Sequence, residues 1–239
     1  GVAPLDSVLV RRALAMATDR PALIKSIWRG IGGVANSPAW PNDPYFANVQ
    51  EPGYNPSGAQ KLLKEYGRPV SITILSTNDP TEELEAQALQ EMWQAVGMHV
   101  ILASPEEAGT QSENVIDKKY EAAIFGFPPF LDPDQWWSLI WQPQGVLNVD
   151  NYHNSVINTA LARGGELAGL SERKAEYTVV QRQLANEVYA LFLHYTEEEA
   201  AVRSDVHGLD QLTLPDGAKA PYGQEYGVPF SVESMWLSS

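Results

Sequence analysis

Asp132 and Asp134 stand two residues apart, where a short apolar stretch gives way to a predicted helix. A pair of carboxylates at this spacing could act as general acid and general base. Carboxylates in the first turn of a helix more often accept hydrogen bonds from its free N–H groups and interact with its dipole. We therefore interpret Asp132 as a helix cap, with Pro133 at the first helical position. An enzyme that uses both carboxylates remains an alternative.

Other catalytic signatures are absent from the sequence. It has no G-x-S-x-G motif, no phosphate-binding loop and no H-E-x-x-H motif. Residues 30–35 resemble a dinucleotide fingerprint but follow a helix, so we interpret them as a helix end and a loop. The chain contains no Cys, which excludes disulfides and Cys-bound zinc. Four histidines are far apart in the sequence, and we predict no catalytic residue, no metal and no cofactor.

Aromatic residues cluster around the same stretch. Phe127 and Phe130 follow a predicted strand, and Trp136 and Trp137 open the next helix. In open α/β sheets, ligands bind at the ends of strands. We therefore predict that this turn forms one wall of a ligand cleft. Trp137 and Trp141 are one turn apart and are candidates for the core, whereas Trp136 must point elsewhere than Trp137.

The composition is that of a folded, acidic protein. Its 239 residues carry a formal net charge of −14, and 44% of them are hydrophobic. Because the sixteen Lys and Arg residues are scattered, we predict no nucleic-acid partner. No apolar run approaches the roughly 20 residues of a membrane-spanning helix, so we predict no membrane insertion of this segment. The chain begins at Gly1 without a signal peptide, and we expect it to be a piece of a longer protein.

A strand, a helix and a second strand follow one another in the first half of the chain. Residues 70–75 alternate in polarity and are β-branched, and residues 98–102 form a second apolar run. Between them, Asp79 is the predicted helix cap, Pro80 the first helical residue and Leu84 part of the inward stripe. The short connections predict a βαβ unit with parallel strands.

Apolar spacing and boundary residues predict the other elements. Asp19 should cap the second of two helices between residues 6 and 30, and Ser171 should cap a helix that runs to about Tyr189. Residues 32–56 are rich in Pro, Gly and Asn, and we predict a long loop of the kind that lines a site. Further predicted helices span residues 56–66, 106–119 and 155–163, and further predicted strands span residues 120–125, 190–195 and 200–203.

Six segments resemble, in order, those of the family 5 extracellular solute-binding proteins, the peptide- and nickel-binding receptors of ABC importers. Residues 54–67 are similar to the family's Y-D-P-x-x-A-x-x-L-L-x-x-x-G helix, and the βαβ unit is similar to its L-x-x-x-G-I-x-V segment. Leu131-Asp132-Pro133 resembles its aromatic-Asp-Pro turn, and residues 171–193 resemble its R-x-x-x-Y-x-x-x-Q-x-x-L helix. The other two segments are residues 10–38 and 148–158.

The resemblance covers residues 6–208 and implies a fold. We expect an α/β, type II periplasmic-binding-protein-like lobe, in which a mixed sheet with a parallel βαβ core is flanked by helices. Members of the family are longer than this chain. The resemblance therefore implies that residues 1–208 form the C-terminal ligand-binding lobe. Residues 209–239 would be an extended return segment that packs on this lobe or toward a missing N-terminal lobe.

The chain departs from the family at one functional position. Peptide-binding members carry an Asp three residues before the Asp-Pro turn, which pairs with the α-ammonium group of the ligand, and Pro129 occupies that position here. An aromatic, Pro-rich wall without a fixed charge suits a sugar face or an apolar side chain. The residues that we predict to bind ligand are Ser37, Trp40, Tyr45, Asn78, Phe127, Pro129, Phe130 and Trp136.

The leading hypothesis is a non-enzymatic lobe of an extracytoplasmic receptor, either periplasmic or a cell-surface lipoprotein. It would capture a small solute, an oligopeptide or an oligosaccharide, in a cleft between lobes and deliver it to the permease of an ABC transporter. The alternative is a ligand-sensing domain of a transcription regulator with the same fold. A signal peptide with a lipobox would identify the first, and an N-terminal helix-turn-helix the second.

Overall fold

A computed structural model describes residues 3–41, 43–126, 132–195, 203–208 and 236–237. The chain divides into two compact units. The first contains the described residues up to 126 and those from 132 to 195, and the second contains residues 203–208 and 236–237. The predicted division after residue 208 stays a prediction, because residues 209–235 lie outside the described ranges.

The first unit contains eight helices and five strands among its described residues. The helices are α1 (Val8–Ala17), α2 (Arg20–Ile27), α3 (Pro56–Tyr66), α4 (Pro80–Gln94), α5 (Ala108–Ile116), α6 (Pro133–Trp141), α7 (Ser155–Glu166) and α8 (Leu170–Glu187). The strands are β1 (Gly33–Val34), β2 (Ser71–Leu75), β3 (His99–Leu102), β4 (Ala122–Ala123) and β5 (His194–Tyr195). In the second unit, β6 (Val206–His207) pairs antiparallel with β7 (Trp236–Leu237).

A parallel sheet in the order β3-β2-β4 forms the centre of the first unit. Ile72 faces Val100 across one strand pair, and Ile74 faces Ala122 across the other. Since α4 connects β2 to β3, the parallel βαβ prediction is confirmed. A separate antiparallel pair, β1 with β5, joins the start of the long loop to the end of this unit.

The predicted helix caps at three aspartates are confirmed. Asp19 accepts from the N–H of Ala22, Asp79 from those of Thr81 and Glu82, and Asp132 from that of Asp134. In each helix a proline lies at one of the first two helical positions, where the missing N–H removes a donor that would otherwise have no partner. Local capping chemistry therefore sets where these helices begin.

Four local predictions are wrong. The strand predicted at residues 120–125 is confined to Ala122 and Ala123, because only these two residues pair with β2. Gly169, rather than Ser171, precedes α8, and Ser171 lies inside its first turn. The strand predicted at residues 190–195 is confined to His194 and Tyr195, because only these two residues pair with β1. Leu84 is 53% exposed, whereas its neighbours Glu85 and Ala86 are buried; the rest of the predicted inward face of α4 is buried, as at Leu89 and Trp93, or partly buried. The strand predicted at residues 200–203 lies outside the described residues except for Arg203, which is not in a strand.

Two groups of buried apolar side chains make up the core of the first unit. One joins the parallel sheet to α1, α3 and α4, and includes Ile72, Ile74 and Trp93. The other lies among α6, α7 and α8 and includes Trp137, Trp141, Ile157, Leu161 and Tyr177. We call the second group the helical core. Trp137 and Trp141 belong to it and Trp136 is only partly buried, so the predicted division of the tryptophans is confirmed.

The loop of residues 32–56 is attached to α2 by a buried ion pair between Arg20 and Glu51. Both side chains are almost fully buried. Burial raises the pKa of the Glu51 carboxyl from its ordinary value of 4.5 to about 7, although Arg20 acts in the opposite direction. Breaking such a pair would leave a buried charge without its partner, so the pair constrains the loop strongly.

We expect Leu161→Ala to lower the free energy of unfolding by about 2–5 kcal/mol, because Leu161 is fully buried in the helical core. Leu170→Ala is the matched control, since Leu170 is 53% exposed and its truncation should cost less than about 0.5 kcal/mol. Urea denaturation of the two variants measures the difference. If both variants lost the same free energy of unfolding, Leu161 would not be packed in the helical core as the structure describes.

We expect stability to fall as pH rises through the window in which Glu51 titrates. Between pH 4.5 and about 7 the folded protein retains a proton on Glu51 that the unfolded chain has lost, so ionisation favours unfolding. Glu51→Gln should flatten the dependence of the free energy of unfolding on pH between 4.5 and about 7. The exposed Glu172→Gln is the control and should keep the wild-type slope. An unchanged slope in Glu51→Gln would contradict the raised pKa.

Candidate functional site

The carboxyl ends of the three parallel strands lie at one edge of the central sheet, which is where ligands bind in open α/β folds. Three segments leave the strands there: residues 76–78 after β2, residues 103–107 after β3 and residues 124–126 after β4. The first two are joined by a parallel bridge between Thr77 and Glu106. We call these segments the carboxyl edge.

A partly buried polar network holds the carboxyl edge together. Glu82, in the first turn of α4, accepts from the backbone N–H of Thr77 at 2.7 Å and from its hydroxyl at 2.9 Å. The amide nitrogen of Gln111, a buried side chain of α5, donates to Glu82 at 3.0 Å and to the carbonyl oxygen of Ile124 at 2.9 Å. One glutamate and one glutamine therefore tie the strand ends to the two helices.

Asn78 lies at this edge with an exposed side chain. Its backbone N–H donates to the carbonyl of Glu106 at 2.8 Å, and its side-chain Nδ2 donates to the carboxylate of Glu107 at 2.7 Å. Asn78 was selected from the sequence because it follows a strand, and the structure places it there. Its backbone is thus held while its side chain remains accessible to solvent.

A second polar group joins the long loop to α8. Gln181 is fully buried, and its Oε1 accepts from the Ser37 hydroxyl at 2.6 Å and from the backbone N–H of Ala47 at 2.9 Å. Its Nε2 donates to the carbonyl oxygens of Tyr45 and Tyr177 at 2.9 and 3.1 Å. All four hydrogen-bonding positions of the amide are therefore occupied within the protein.

Arg173 lies two turns before Gln181 on α8, and its guanidinium contacts four partners. Nη1 and Nη2 donate to the two carboxylate oxygens of Asp132 at 2.9 and 2.6 Å. The same two nitrogens donate to the hydroxyls of Tyr45 and Tyr177 at 2.6 and 2.9 Å. Nε donates to the carbonyl of Gly164 at 2.9 Å. These bonds use all five N–H groups of the guanidinium.

The bonds of Arg173 and the burial of its partners shift the pKa values of these side chains. Hydrogen bonds from Arg173 hold the pKa of the Asp132 carboxyl below its ordinary value, although partial burial acts in the opposite direction. Hydrogen bonding to Asp132 in turn raises the pKa of Arg173. Burial raises the pKa of the Tyr45 and Tyr177 hydroxyls, so both remain neutral donors and acceptors. Asp132 is thus an ionised cap, and the Asp134 side chain has a separate partner, the Ser138 hydroxyl, which donates to it at 3.3 Å.

The residues that we predicted to bind ligand lie in different surroundings. Ser37 and Tyr45 are buried and are brought together by Gln181, whereas Asn78 is exposed at the carboxyl edge. Trp40 and Trp136 are partly buried, Trp40 with its ring 5.6 Å from that of Tyr195 and Trp136 against the helical core. Three predicted residues lie outside the described ranges: Phe127, Pro129 and Phe130.

Sequence reasoning did not select the residues that organise these surroundings, although they occupy the R-x-x-x-Y-x-x-x-Q positions of the segment that residues 171–193 resemble. Arg173, Tyr177 and Gln181 recur every four residues, so they lie on one face of α8. Two of the three are polar and lie on the face that also carries the apolar Val180 and Leu184, which is the signal that could have identified them as buried hydrogen-bonding residues. Gln111 gives a weaker signal, since only Val115, four residues further along the short helix α5, is a buried apolar residue on its face.

The described residues offer no group of three His, Asp or Glu side chains arranged to hold a metal ion. Within the same ranges, every helix is too short or too polar to cross a membrane.

Comparison with known proteins identifies the family. The model of the bacterial extracellular solute-binding proteins, family 5 (middle region), matches residues 1–148. The heme-binding protein A of Haemophilus influenzae is 26% identical over 232 residues, which cover 92% of this chain and 42% of that protein. A dipeptide-binding protein of Pseudomonas aeruginosa is 23% identical over 216 residues, covering 86% of this chain and 40% of that protein. This chain therefore spans about two fifths of the length of these curated relatives.

Solved structures agree on the fold. The oligopeptide-binding protein of Bacillus subtilis, solved in complex with a nonapeptide, superposes with a TM-score of 0.82 at 20% identity. The match covers 98% of this chain and 48% of that one. The α/β, type II periplasmic-binding-protein-like fold with a parallel core flanked by helices is thus confirmed. With a family model that matches more than half of its length, this chain belongs to the bacterial extracellular solute-binding proteins, family 5.

Proposed function

We propose that this chain is the ligand-binding lobe of an extracytoplasmic receptor that captures a small solute and delivers it to the permease of an ABC importer. The family match over residues 1–148 carries the proposal. The binding protein would be non-enzymatic, and it would act in the periplasm or at the outer cell surface. None of the matched proteins described above is a transcription regulator, so we do not pursue that alternative.

The geometry of the carboxyl edge supports this role. Parallel strands end there, hydrogen bonds within the protein fix the backbone, and the Asn78 side chain remains exposed. A ligand in such a crevice would meet accessible polar side chains on a rigid frame. The rest of a receptor of the relatives' length would supply a second lobe, and closure of the two lobes would enclose the ligand.

Two observations bear on the class of ligand. The relatives described above are named for dipeptides and heme, and the structural neighbour was solved with a nonapeptide. Peptides are therefore the first class to test. The chain has Pro129, without a carboxylate, at the position where the family resemblance places the anchor for an α-ammonium group. We therefore keep oligosaccharides as the second class, since stacking on aromatic side chains needs no charge.

We expect one of these classes to stabilise the full-length receptor. At a ligand concentration of 100 times Kd, binding to the folded state adds about 2.7 kcal/mol, which raises Tm by several degrees. The measurement is thermal unfolding with trialanine, a pool of dipeptides to nonapeptides, and maltotriose. A protein whose Tm is unchanged by all of them would contradict capture of these solutes.

We expect Asn78→Ala to weaken binding of the stabilising compound by about three- to tenfold, the effect of losing about one hydrogen bond. The exposed Asn186→Ala, on α8, is the matched control and should bind like the wild type. Isothermal titration calorimetry of the full-length receptor measures both Kd values. Wild-type affinity in Asn78→Ala would remove this residue from the binding site.

A further inference from the structure

Two segments that carry predicted ligand contacts meet at Arg173. The first is the loop of residues 37–45, whose Tyr45 hydroxyl accepts from Nη1 at 2.6 Å. The second is α6, which carries Trp136 and whose cap Asp132 accepts two bonds from the guanidinium. The two segments are separated by more than 80 residues in the sequence, so their relative position depends on tertiary contacts of this kind.

The hydrogen-bonded pair of Arg173 and Asp132 holds both side chains in a fixed orientation. The guanidinium is planar, and its paired bonds to one carboxylate fix orientation as well as distance. Asp132 also accepts from the N–H of Asp134 at 2.9 Å, which fixes the carboxylate to the first turn of α6. The Arg173 side chain is itself only 14% exposed. The loop therefore cannot move relative to the start of α6 unless Arg173 loses its bond to Tyr45 or its bonds to Asp132.

Close packing of α7 against α8 at Gly164 also helps to hold the Arg173 side chain in place. A Cβ atom added at Gly164 would lie 2.7 Å from the Tyr177 ring, a distance that real contacts do not adopt. Glycine at this position lets the Tyr177 ring approach α7, and the Gly164 carbonyl accepts from Arg173 Nε. Arg173 is thus held through Nε as well as through its two terminal nitrogens.

We propose that Arg173 is a positioning residue of the ligand site, which sets the loop of residues 37–45 and the start of α6 relative to one another. The proposal rests on the solute-binding role proposed above. It requires the fork geometry of arginine, since a lysine ammonium is a point charge that cannot form paired bonds to Asp132 and reach both tyrosines. A residue needed only for its charge would be replaceable by lysine.

The first experiment measures positioning without a ligand. Amide hydrogen exchange of the full-length receptor is compared for wild type, Arg173→Gln and Arg173→Lys. We expect exchange to become at least about tenfold faster in residues 37–47 and 132–141 together, in both variants, with no change in β2 or α4. Exchange that stays at the wild-type rate in either segment would overturn the proposal, and so would a general increase across the unit.

Two further variants make this comparison specific. Arg163→Gln is the matched control, because Arg163 makes a surface ion pair with Glu176 at 3.3 Å and its side chain is 64% exposed. It should leave exchange in both segments unchanged. Tyr45→Phe removes a single acceptor and keeps the ring, so it should fold even if the arginine variants do not. It should speed exchange in residues 37–47, and wild-type exchange there would overturn the proposal.

The second experiment measures affinity for trialanine and maltotriose. For the probe that binds the wild type, we expect Arg173→Gln, Arg173→Lys and Asp132→Asn each to raise Kd by about tenfold or more, and Arg163→Gln to leave it unchanged. The double variant Arg173→Gln/Asp132→Asn should lose no more than either single variant, because the two side chains act through each other. Wild-type affinity in Arg173→Gln, or additive losses, would overturn the inference. If neither probe binds the wild type, the solute-binding proposal is the one that fails for these probes, and hydrogen exchange still decides the positioning role.

Discussion

A fully buried amide, that of Gln181, is the interaction on which the long loop depends. Residues 32–56 contain little regular structure, so their backbone groups need partners from elsewhere in the protein. Gln181 supplies two of these partners, at Tyr45 and Ala47, and also accepts from Ser37. A buried amide that lost these partners would cost free energy, and so would the loop groups left without theirs, so ordering of the loop is coupled to α8.

The elements that sequence reasoning identified correctly are those whose causes are local. Asp79 and Pro80 cap and start α4 through bonds within four residues, and the alternation of residues 70–75 follows from burial of one face of β2. Asp132 was likewise recognised as a cap because the hydrogen bond that it accepts from Asp134 is two residues away. A parallel arrangement then followed from the short connections alone.

The candidate site could be predicted only in part, because its causes are not local. Ser37 and Gln181 are 144 residues apart, and Arg173 and Asp132 are 41 apart, so no periodicity or spacing in the sequence relates them. Leu84 was placed inward because it continues an apolar stripe, but in the first part of α4 the neighbouring Glu85 is buried instead, where it contacts His194 of β5 at 3.3 Å. Asn78 was placed correctly because its position depends only on where β2 ends.

The burial of its hydrogen bonds separates a residue that could contact a ligand from one that only supports the site. A side chain that binds a solute must release its present partner, or share it, at little cost. Ser37 donates to the fully buried Gln181, and the Tyr45 hydroxyl accepts from the largely buried Arg173, so withdrawing either would leave a poorly hydrated polar atom with one partner fewer. Asn78 bonds to Glu107 at an exposed position, where water can replace either side of the bond. Ser37 and Tyr45 therefore tie the long loop to α8, whereas the Asn78 side chain stays accessible at the carboxyl edge, which is why the proposed site assigns solute contact to it.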